Sequence, residues 1–526
     1  MNDMNTKAYL VGAGIASLAS AAYLIMDSEI PGGNICILEE SAEIGGSMDA
    51  HGSADKGYTM RGGRMFDEEA YTCTYDLLSR IPGTHDTSKS VKEEMFDFNE
   101  RIKSHSNCRL VEAGKKVDVS GMGFSMRDRL DLIRMMLSSE ESLGISAIRD
   151  HFEPAFFTTN FWFMWCTTFA FQPWHSAVEF KRYLLRFIQE FPRISTLAGV
   201  RRTPYNQYDS IIVPLVAWLK EKGVLFLLNA RVTNLVFSTH RSPKRVERIV
   251  YTLKGERSEI GIGEYDLVFI TLGSMTEGSS FGSMTAAPLL NSKRDGGSWS
   301  LWETIAENRA EFGQPLTFDD HIPQSLWESF TITFHDPTFF GLMEAFTGNI
   351  AGTGGLVTFK DSNWLMSLVL PAQPHFIDQP ANVQVCWGYG LFPDKQGNFV
   401  AKKMSDCNGE EILKEVLGHL RFENNQHTIL RTAICIPCML PFITSQFLVR
   451  SKTDRPAVIP KGSINLAFIG QYCEIPDDVV FTVEYSVRSA QTAVFSLLNL
   501  DKKASPIYKG QHDSHVLFES VKALIS

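Results

Sequence analysis

The chain has 526 residues, of which 44% are hydrophobic and 21% are charged, and its formal net charge is −10. This composition is ordinary for a globular protein, and at about 150 residues per unit the length predicts three or four structural units. The negative charge excludes a general attraction to nucleic acid, so we expect no nucleic-acid partner.

The cysteines and the apolar runs bear on where the protein works. Nine cysteines are scattered without even pairing, which indicates a reducing compartment. Cys435 and Cys438 form a single CxxC without a second pair or a nearby histidine pair, so we expect no metal site. The N-terminus lacks the regions of a signal peptide, and no apolar run reaches the roughly 18 residues of a membrane span. We therefore expect a cytoplasmic protein.

The first 40 residues predict a strand, a glycine turn, a helix and a second strand. "AYLVG" (8–12) is a short apolar strand, and the small and apolar residues that follow keep helical spacing to about Met26. "NICILEE" (34–40) is the second strand.

Glycines at the first turn predict a dinucleotide site. Gly12 permits a tight turn, and Gly14 lets a pyrophosphate approach the start of the helix, where backbone N–H groups favour an anion. Ser17 replaces the third glycine of the usual fingerprint. A carboxylate at the end of the second strand, Glu39 or Glu40, is placed to accept hydrogen bonds from an adenosine ribose.

The rest of the chain alternates between helical and mixed segments. Residues 126–195 are helical and rich in aromatic side chains, and "SIIVPLVAWLKEKGVLFLLNARVTNLVF" predicts a helix followed by two strands. "YDLVFITLGS" (265–274) is a buried strand that ends in glycine, and strands such as "SFTITF", "WLMSLVL" and "VQVCWGYGLF" occur in the mixed segment 281–439. A late strand and helix follow in "INLAFIGQYCEIPDDVVFTVEYSVRSAQTAVFSLL".

Two segments favour FAD over NAD: the glycine-rich loop "EIGGSMDAHG" after the second strand, and the late strand and helix, whose N-terminus aims backbone N–H groups at a flavin or pyrophosphate. We therefore predict an α/β fold. A discontinuous FAD-binding Rossmann-like domain (1–125, 196–280 and 440–500) is interleaved with a mixed α+β substrate domain (281–439), a helical substrate-lining segment or lid (126–195) and a C-terminal tail (501–526). The predicted cofactor-binding residues are Gly12, Gly14, Ala16, Ser17, Glu39, Glu40, Gly45, Gly46, Ser47, Arg61, Gly62, Gly63, Arg64, Met65, Val232, Gly273, Ser274, Glu474, Phe481 and Thr482.

Paired glycines stand between two arginines in "TMRGGRMFDEEAY" (59–71). Without a Cβ, the Gly62–Gly63 backbone can lie close to a flat or anionic group. We expect this backbone to face a flavin ring, with Arg61 and Arg64 setting the charge around it.

Several motifs together resemble one family. "YLVGAGIASLASAAYLI", "RGGR", "FAFQPWHSAVEFKRYLLRF", "RTPYNQYDS" and "GGLVTFKDSNWLMS" are similar to segments of the oleate hydratases, which are FAD-containing fatty-acid hydratases also called myosin-cross-reactive antigens. The resemblance covers roughly residues 7–500. It implies addition of water to the cis-9 double bond of an unsaturated fatty acid, so that oleic acid gives 10-hydroxystearic acid. FAD would organise the site without net electron transfer.

The resemblance also implies roles for particular residues. The family's acid lies in a motif that matches "FKRY", so protonation of the alkene falls to Tyr183, with Tyr205 and Tyr208 of "YNQY" as competitors. A phenol with a pKa near 10 is a weak acid, so preorganised electrostatics must stabilise the developing charges.

The fatty-acid carboxylate is expected near "QPHF". The resemblance implies His375 as a ligand, with Gln373 and Tyr205 among the substrate-binding residues. Val369 and Pro371 stand where the family has hydroxyl and amide groups. His375 alone, or a neighbouring basic residue, would then hold the carboxylate.

Met65 departs from the family pattern, because many members have a water-activating glutamate there. A thioether cannot accept a proton. Three accounts stay open: a carboxylate from Asp67, Glu68 or Glu69 replaces it, the carbocation needs little help from a base, or the enzyme is altered. We favour the second account.

Two other functions stay open: a redox flavoenzyme of the amine-oxidase or desaturase type, and a lipid-binding flavoprotein without catalysis. Family members with an N-terminal extension use it in dimer contacts, and the first strand here begins by about residue 8, so we expect a monomer. Lys502, Lys503 and Lys509 precede a short amphipathic segment, which predicts a peripheral membrane contact.

Overall fold

The computed structural model describes residues 6–63, 65–238, 244–291 and 296–525. Its strands are β1 (Ala8–Val11), β2 (Ile35–Leu38), β3 (Ala50–Ser53), β4 (Gly57–Met60), β5 (Phe66–Asp67), β6 (Leu110–Glu112), β7 (Lys115–Lys116), β8 (Val200–Arg201), β9 (Leu225–Leu227), β10 (Ala230–Phe237), β11 (Val246–Leu253), β12 (Glu256–Gly261), β13 (Leu267–Thr271), β14 (Ser280–Phe281), β15 (Trp327–Phe334), β16 (Val357–Phe359), β17 (Met366–Val369), β18 (Gln384–Gly390), β19 (Ala433–Leu440) and β20 (Leu466–Ile469). Its helices are α1 (Ile15–Ser28), α2 (Thr72–Leu78), α3 (Val91–Arg101), α4 (Met126–Leu137), α5 (Glu140–Leu143), α6 (Asn160–Phe169), α7 (Ala177–Arg186), α8 (Val213–Glu221), α9 (Ser298–Ala306), α10 (Leu316–Asp319), α11 (Ile322–Ser325), α12 (Thr338–Thr347), α13 (Gly409–Leu420), α14 (Gln426–Thr432), α15 (Val483–Leu497) and α16 (Ser514–Ile525).

A parallel sheet in the order β20-β13-β1-β2-β9 carries the predicted N-terminal unit. The helices α1 and α15 pack against each other, and α15 also packs against β20. Parallel sheets are covered on their faces, which accounts for the continuous apolar runs of β13 and β20. The predicted strands at 8–12, 34–40 and 265–274 are confirmed, and one sheet joins segments far apart in the chain. The domain boundaries given above stay a proposal.

A mixed sheet in the order β14-β19-β15-β18-β17-β16-β6-β7 forms the second core. Its central strand β15 is buried along its whole length. The hairpin strand β4 joins the two cores, because the backbone N–H of Tyr58 donates to Thr333 Oγ1 (2.9 Å) and that of Met60 donates to Thr331 Oγ1 (3.2 Å). The strand that leads into "RGGR" is thus fixed to the mixed sheet.

The predicted helical segment contains α4 to α7, and buried ion pairs set the position of α7. Ser176 caps α7 by accepting from the Glu179 N–H. The Glu179 carboxylate, which is fully buried, pairs with Arg450 and Arg455, both at 2.9 Å. These charges hold the pKa of Glu179 at about 2 despite its burial. A helix tied at its first turn presents its later residues in a fixed direction.

Within the described part of the chain, no helix is long and apolar enough to cross a membrane. The last helix, α16, packs near residues 188–190, where Ser520 Oγ donates to the Ile188 carbonyl at 2.9 Å. Its other face exposes Leu517, Phe518, Val521 and Ile525.

Candidate functional site

A cavity of about 490 Å³, here called the dinucleotide cavity, opens at the carboxyl ends of β1, β2, β13 and β20. Ligands of open parallel sheets bind at this edge. Among the predicted cofactor residues, those that line it are Gly12, Gly14, Ala16, Glu39, Glu40, Gly46, Ser47, Arg61, Val232, Gly273 and Ser274.

The lining of the dinucleotide cavity fits a pyrophosphate and a ribose. Gly12 has a φ of 91°, which glycine adopts without strain, and a methyl group added at Gly14 would meet no atom within 4 Å. Gly14 is the N-cap of α1 and offers no side-chain cap, so the first N–H groups of the helix are available to an anion. Glu39 Oε2 accepts from the Ala13 N–H at 2.7 Å, which places the carboxylate at the turn. These residues could hold FAD.

Eight described members of the predicted set do not line the dinucleotide cavity: Gly63, Met65, Phe481 and Thr482 line a second cavity described below, and four others have different contacts. Ser17 Oγ lies 3.2 Å from Thr271 Oγ1, and the Gly45 N–H donates to the Ala13 carbonyl, so both support the turn. Gly62 accepts a hydrogen bond through its carbonyl, described below. Glu474 pairs instead with Arg182 and Arg450. Arg64, also predicted, lies outside the described residues.

A second, mostly apolar cavity of about 170 Å³ lies beside the first. We call it the apolar cavity. Aromatic and aliphatic side chains form most of its wall, but of the Phe, Trp and Met residues in the aromatic run 156–174 of the helical segment, Phe169 is the one that lines it. The predicted residues that line it are Gly63, Met65, Tyr183, His375, Phe481 and Thr482.

The "RGGR" segment passes between the two cavities. Arg61 lines the dinucleotide cavity and pairs with Asp49 at 3.0 Å, whereas Gly63 lines the apolar cavity. The Gly62 carbonyl accepts from Gln207 Nε2 at 2.7 Å, which fixes the backbone here. A planar group that extends from one cavity toward the other would pass this glycine backbone, as expected for a flavin.

Tyr183 is buried, and its phenol donates to the Val480 carbonyl at 2.5 Å. Burial, followed by the charges of Tyr71 and Glu179, raises the pKa of Tyr183 well above its usual value of 10. The phenol therefore keeps its proton at any physiological pH. Its ring lies edge-on to Phe169 and Phe171, at 5.1 and 4.9 Å between centroids.

The two competing tyrosines lie elsewhere. Tyr205 packs on His85, with 5.1 Å between ring centroids, and does not line the apolar cavity. Tyr208 packs on His51 at 5.3 Å. Gln373 also lines neither cavity, because its amide bonds the Pro371 and Val385 carbonyls and so holds the loop before His375. Of the three tyrosines, Tyr183 alone faces the apolar cavity.

His375 and Arg202 lie together on one wall of the apolar cavity. Burial and the Arg202 charge lower the pKa of His375 to about 3, so the imidazole is neutral near pH 7. Burial lowers the pKa of Arg202 to about 10, which leaves the guanidinium charged.

A pair of buried carboxyl groups lies on the wall next to Met65. Asp67 and Glu190, each 5% exposed, both line the apolar cavity, and their carboxylates approach that of Glu69 within 4.8 Å. Burial and the Asp67 charge raise the pKa of Glu190 to about 8, so the Glu190 carboxyl group keeps its proton near neutral pH. Glu68 points away and pairs with Arg201.

Sequence reasoning missed Glu190, Arg202 and Tyr71 as residues of this site. Glu190 follows α7 in "RFIQEF" and Arg202 begins "RTPYNQYDS". The only available signal was that both stand in or beside motifs used for the resemblance. Tyr71, whose phenol donates to the Met65 carbonyl at 3.2 Å, is the last residue of the segment 59–71 that contains the paired glycines.

Comparison with known proteins gives consistent matches across the chain. A family model described as the MCRA family matches residues 5–495. An oleate hydratase from Streptococcus pyogenes serotype M49 (strain NZ131) is 38% identical over 528 residues, covering 98% of this chain and 89% of the relative. A linoleate hydratase from Lactiplantibacillus plantarum is 33% identical over 539 residues, covering 94% and 93%.

Solved structures with the same fold are more distant in sequence. An oxidoreductase from Methanosarcina mazei has a TM-score of 0.53 at 12% identity, covering 94% of this chain and all of that one. Cyclohexylamine oxidase from Brevibacterium oxydans has a TM-score of 0.54 at 12% identity, covering 95% and 100%. At this identity the likeness shows the fold alone, and it confirms the predicted α/β, Rossmann-like class.

Proposed function

The chain belongs to the MCRA family, and from that membership we propose that it is a hydro-lyase that adds water to the cis-9 double bond of an unsaturated fatty acid, oleic acid giving 10-hydroxystearic acid. Two relatives named for oleate and linoleate hydration match nearly its whole length. One observation carries the proposal: the buried phenol of Tyr183 faces an apolar cavity that adjoins a cavity suited to FAD.

In the proposed reaction, the Tyr183 phenol donates its proton to C9 and a carbocation develops at C10. Water then attacks C10 and gives up a proton to a carboxylate, and return of a proton to the Tyr183 phenolate restores the acid, so alkene and water together make the alcohol. The apolar walls hold the chain and keep out other water. Bound FAD would supply a polar, planar surface at the glycine backbone, held by the residues of the dinucleotide cavity. Because the phenol is a weak acid, fixed dipoles must stabilise its developing anion.

Water is proposed to bind at the carboxyl pair of Asp67 and Glu190. Asp67 stands two residues after Met65, and its carboxylate accepts from the Ala70 N–H at 2.6 Å and from Gln189 Nε2. The ionised member of the pair can accept the proton that water loses at C10. This favours the first account of Met65, a carboxylate supplied from further along the chain, over the second.

Turnover of oleic acid in H₂¹⁸O tests the hydratase proposal against the two alternatives. Hydration places ¹⁸O in the new hydroxyl, which mass spectrometry of the product detects. Label that comes from ¹⁸O₂ instead indicates a redox flavoenzyme. Lipid recovered unchanged, with FAD bound, indicates a binding protein and refutes the hydratase.

Removing either carboxyl group of the pair should slow water addition. We expect Asp67→Asn and Glu190→Gln to lower kcat by about 100-fold, a usual value for a lost general base. Glu68→Gln, which changes a neighbouring exposed carboxylate, should stay within about twofold, since one surface ion pair contributes little. Kinetics with oleic acid measures both.

A glutamate at position 65 offers a rescue. Met65→Glu in the Asp67→Asn background restores a carboxylate to the same wall, so part of the lost kcat should return. If Asp67→Asn and Glu190→Gln both keep wild-type kcat, the water site lies elsewhere.

A peripheral membrane contact is proposed through α16, not through the lysines predicted for it. Lys502 and Lys509 pair with Asp27 and Asp477. The apolar side chains Phe518 and Ile525 are 67% and 63% exposed. Phe518→Ser should therefore reduce cosedimentation with phosphatidylcholine vesicles. Equal cosedimentation of variant and wild type would contradict this contact.

Location and assembly complete the proposal. All nine cysteines are free, which supports a reducing compartment, and the cytoplasm is the proposed one. Cell fractionation tests it. The monomeric state stays a prediction, which light scattering on the purified protein measures.

A further inference from the structure

The apolar cavity contains a cation without a counter-ion. Among the described residues that line it, Arg202 is the only arginine or lysine. No carboxylate of the described chain pairs with Arg202, whereas Arg201 beside it pairs with Glu68. Arg202 is half-buried at the cavity wall. A charge withdrawn from water without a partner is costly, so such a group usually has a ligand.

The hydrogen bonds of Arg202 are incomplete. Nη2 donates to the Gly354 carbonyl at 2.6 Å, and Nε is buried without a partner within the described residues. Arg109 shows what a purely structural arginine looks like here: it is fully buried, and its Nε, Nη1 and Nη2 all donate, to Ile194, Leu356, Met164 and Thr168. Arg109 is satisfied by the protein, and Arg202 is not.

His375, the neighbour of Arg202, does not supply the positive charge of this wall. His375 lines the same wall, and it carries no charge near pH 7. Its backbone is held by Gln379, whose Oε1 accepts from the His375 N–H at 2.8 Å. The neutral ring can add a hydrogen bond to an anion, but the charge must come from Arg202.

We propose that Arg202 is the residue that binds the carboxylate of the fatty acid, with His375 beside it, and that it selects acids over uncharged lipids. A guanidinium presents paired N–H groups that match a carboxylate. This inference rests on the proposed function only in taking a fatty acid as the occupant of the cavity. It answers the question left by Val369 and Pro371, which offer no side-chain donor.

Calorimetry with oleate and with oleyl alcohol tests the assignment without turnover. Arg202→Gln should weaken oleate binding by about 10- to 100-fold, the usual range for a hydrogen bond to a charged group, and leave oleyl alcohol binding within about twofold. Arg201→Gln, the matched control, should bind both ligands as wild type does. Thermal unfolding and FAD titration check that each variant is folded.

The other results overturn the proposal. Equal losses for both ligands would show that Arg202 only supports the cavity, and no loss for either would place the carboxylate elsewhere. Arg202→Lys keeps a cation and should retain a preference for oleate, so a lysine variant that binds both ligands equally also overturns it. If wild type binds oleate but forms no hydroxy acid, the hydratase proposal fails and the Arg202 assignment stands.

Discussion

Tyr183→Phe is expected to lower hydration of oleic acid by about 1,000-fold, within the range for a lost general acid, while FAD and oleate still bind. The variant removes only the phenolic oxygen, which donates to the Val480 carbonyl. The ring, which packs against Phe169 and Phe171, stays. Product formation measured by gas chromatography, with FAD absorbance alongside, gives the result.

Tyr485→Phe is the matched control for this change. Its phenol is also fully buried and donates to a backbone carbonyl, that of Cys473 at 2.7 Å, but it lines neither cavity. Tyr183→Phe loses about 1 kcal/mol of stability with its buried hydrogen bond, and Tyr485→Phe loses at least as much, because its oxygen also accepts from the Ile475 N–H at 2.9 Å. If both lose activity equally, the effect is structural, and a Tyr183→Phe enzyme that turns over normally removes the residue from the mechanism.

Gly14→Val should lower FAD affinity by at least about tenfold and leave the fold intact. The backbone of Gly14 has a φ of −77°, open to any residue, and an added Cβ meets no atom within 4 Å. The new side chain therefore enters the dinucleotide cavity, where it occupies the space a pyrophosphate needs. Fluorescence titration of the apoprotein with FAD measures the loss.

Gly33→Val controls for the cost of replacing a glycine. A Cβ there also meets no atom within 4 Å, and the residue does not line the dinucleotide cavity. Its FAD affinity should equal that of wild type. Unchanged affinity in Gly14→Val would show that the cavity at the carboxyl ends of the strands is not the cofactor site.

The sequence predicted the parallel sheet well because its signals are local. An apolar run that ends at Gly12 and a second that ends at Glu39 define β1, β2 and the turn between them. The same applies to β13, which ends just before Gly273. The resemblance then singled out Tyr183, which no periodicity distinguishes from a core tyrosine.

The positions of the other site residues depend on contacts between distant parts of the chain, which no local sequence pattern encodes. The carboxyl pair forms because Glu190, which follows α7 in the chain, lies close to Asp67 in the fold. Arg202 meets the Gly354 carbonyl and, among the residues that the structure describes, no carboxylate. Glu474 was predicted to bind the cofactor because it stands before α15. In the structure it pairs instead with Arg182 and Arg450.

Gln471 joins the cofactor site to the acid. It lines the dinucleotide cavity, its Nε2 donates to the Thr482 carbonyl at 2.9 Å, and its Oε1 accepts from the Phe481 N–H. The carbonyl of Val480, the residue before Phe481, accepts the hydrogen bond from the Tyr183 phenol. Phe481 has a φ of 70°, which leaves this turn few conformations. A cofactor that orders Gln471 therefore also orders the acid. By thermodynamic linkage, FAD should tighten oleate binding by the same factor by which oleate tightens FAD binding.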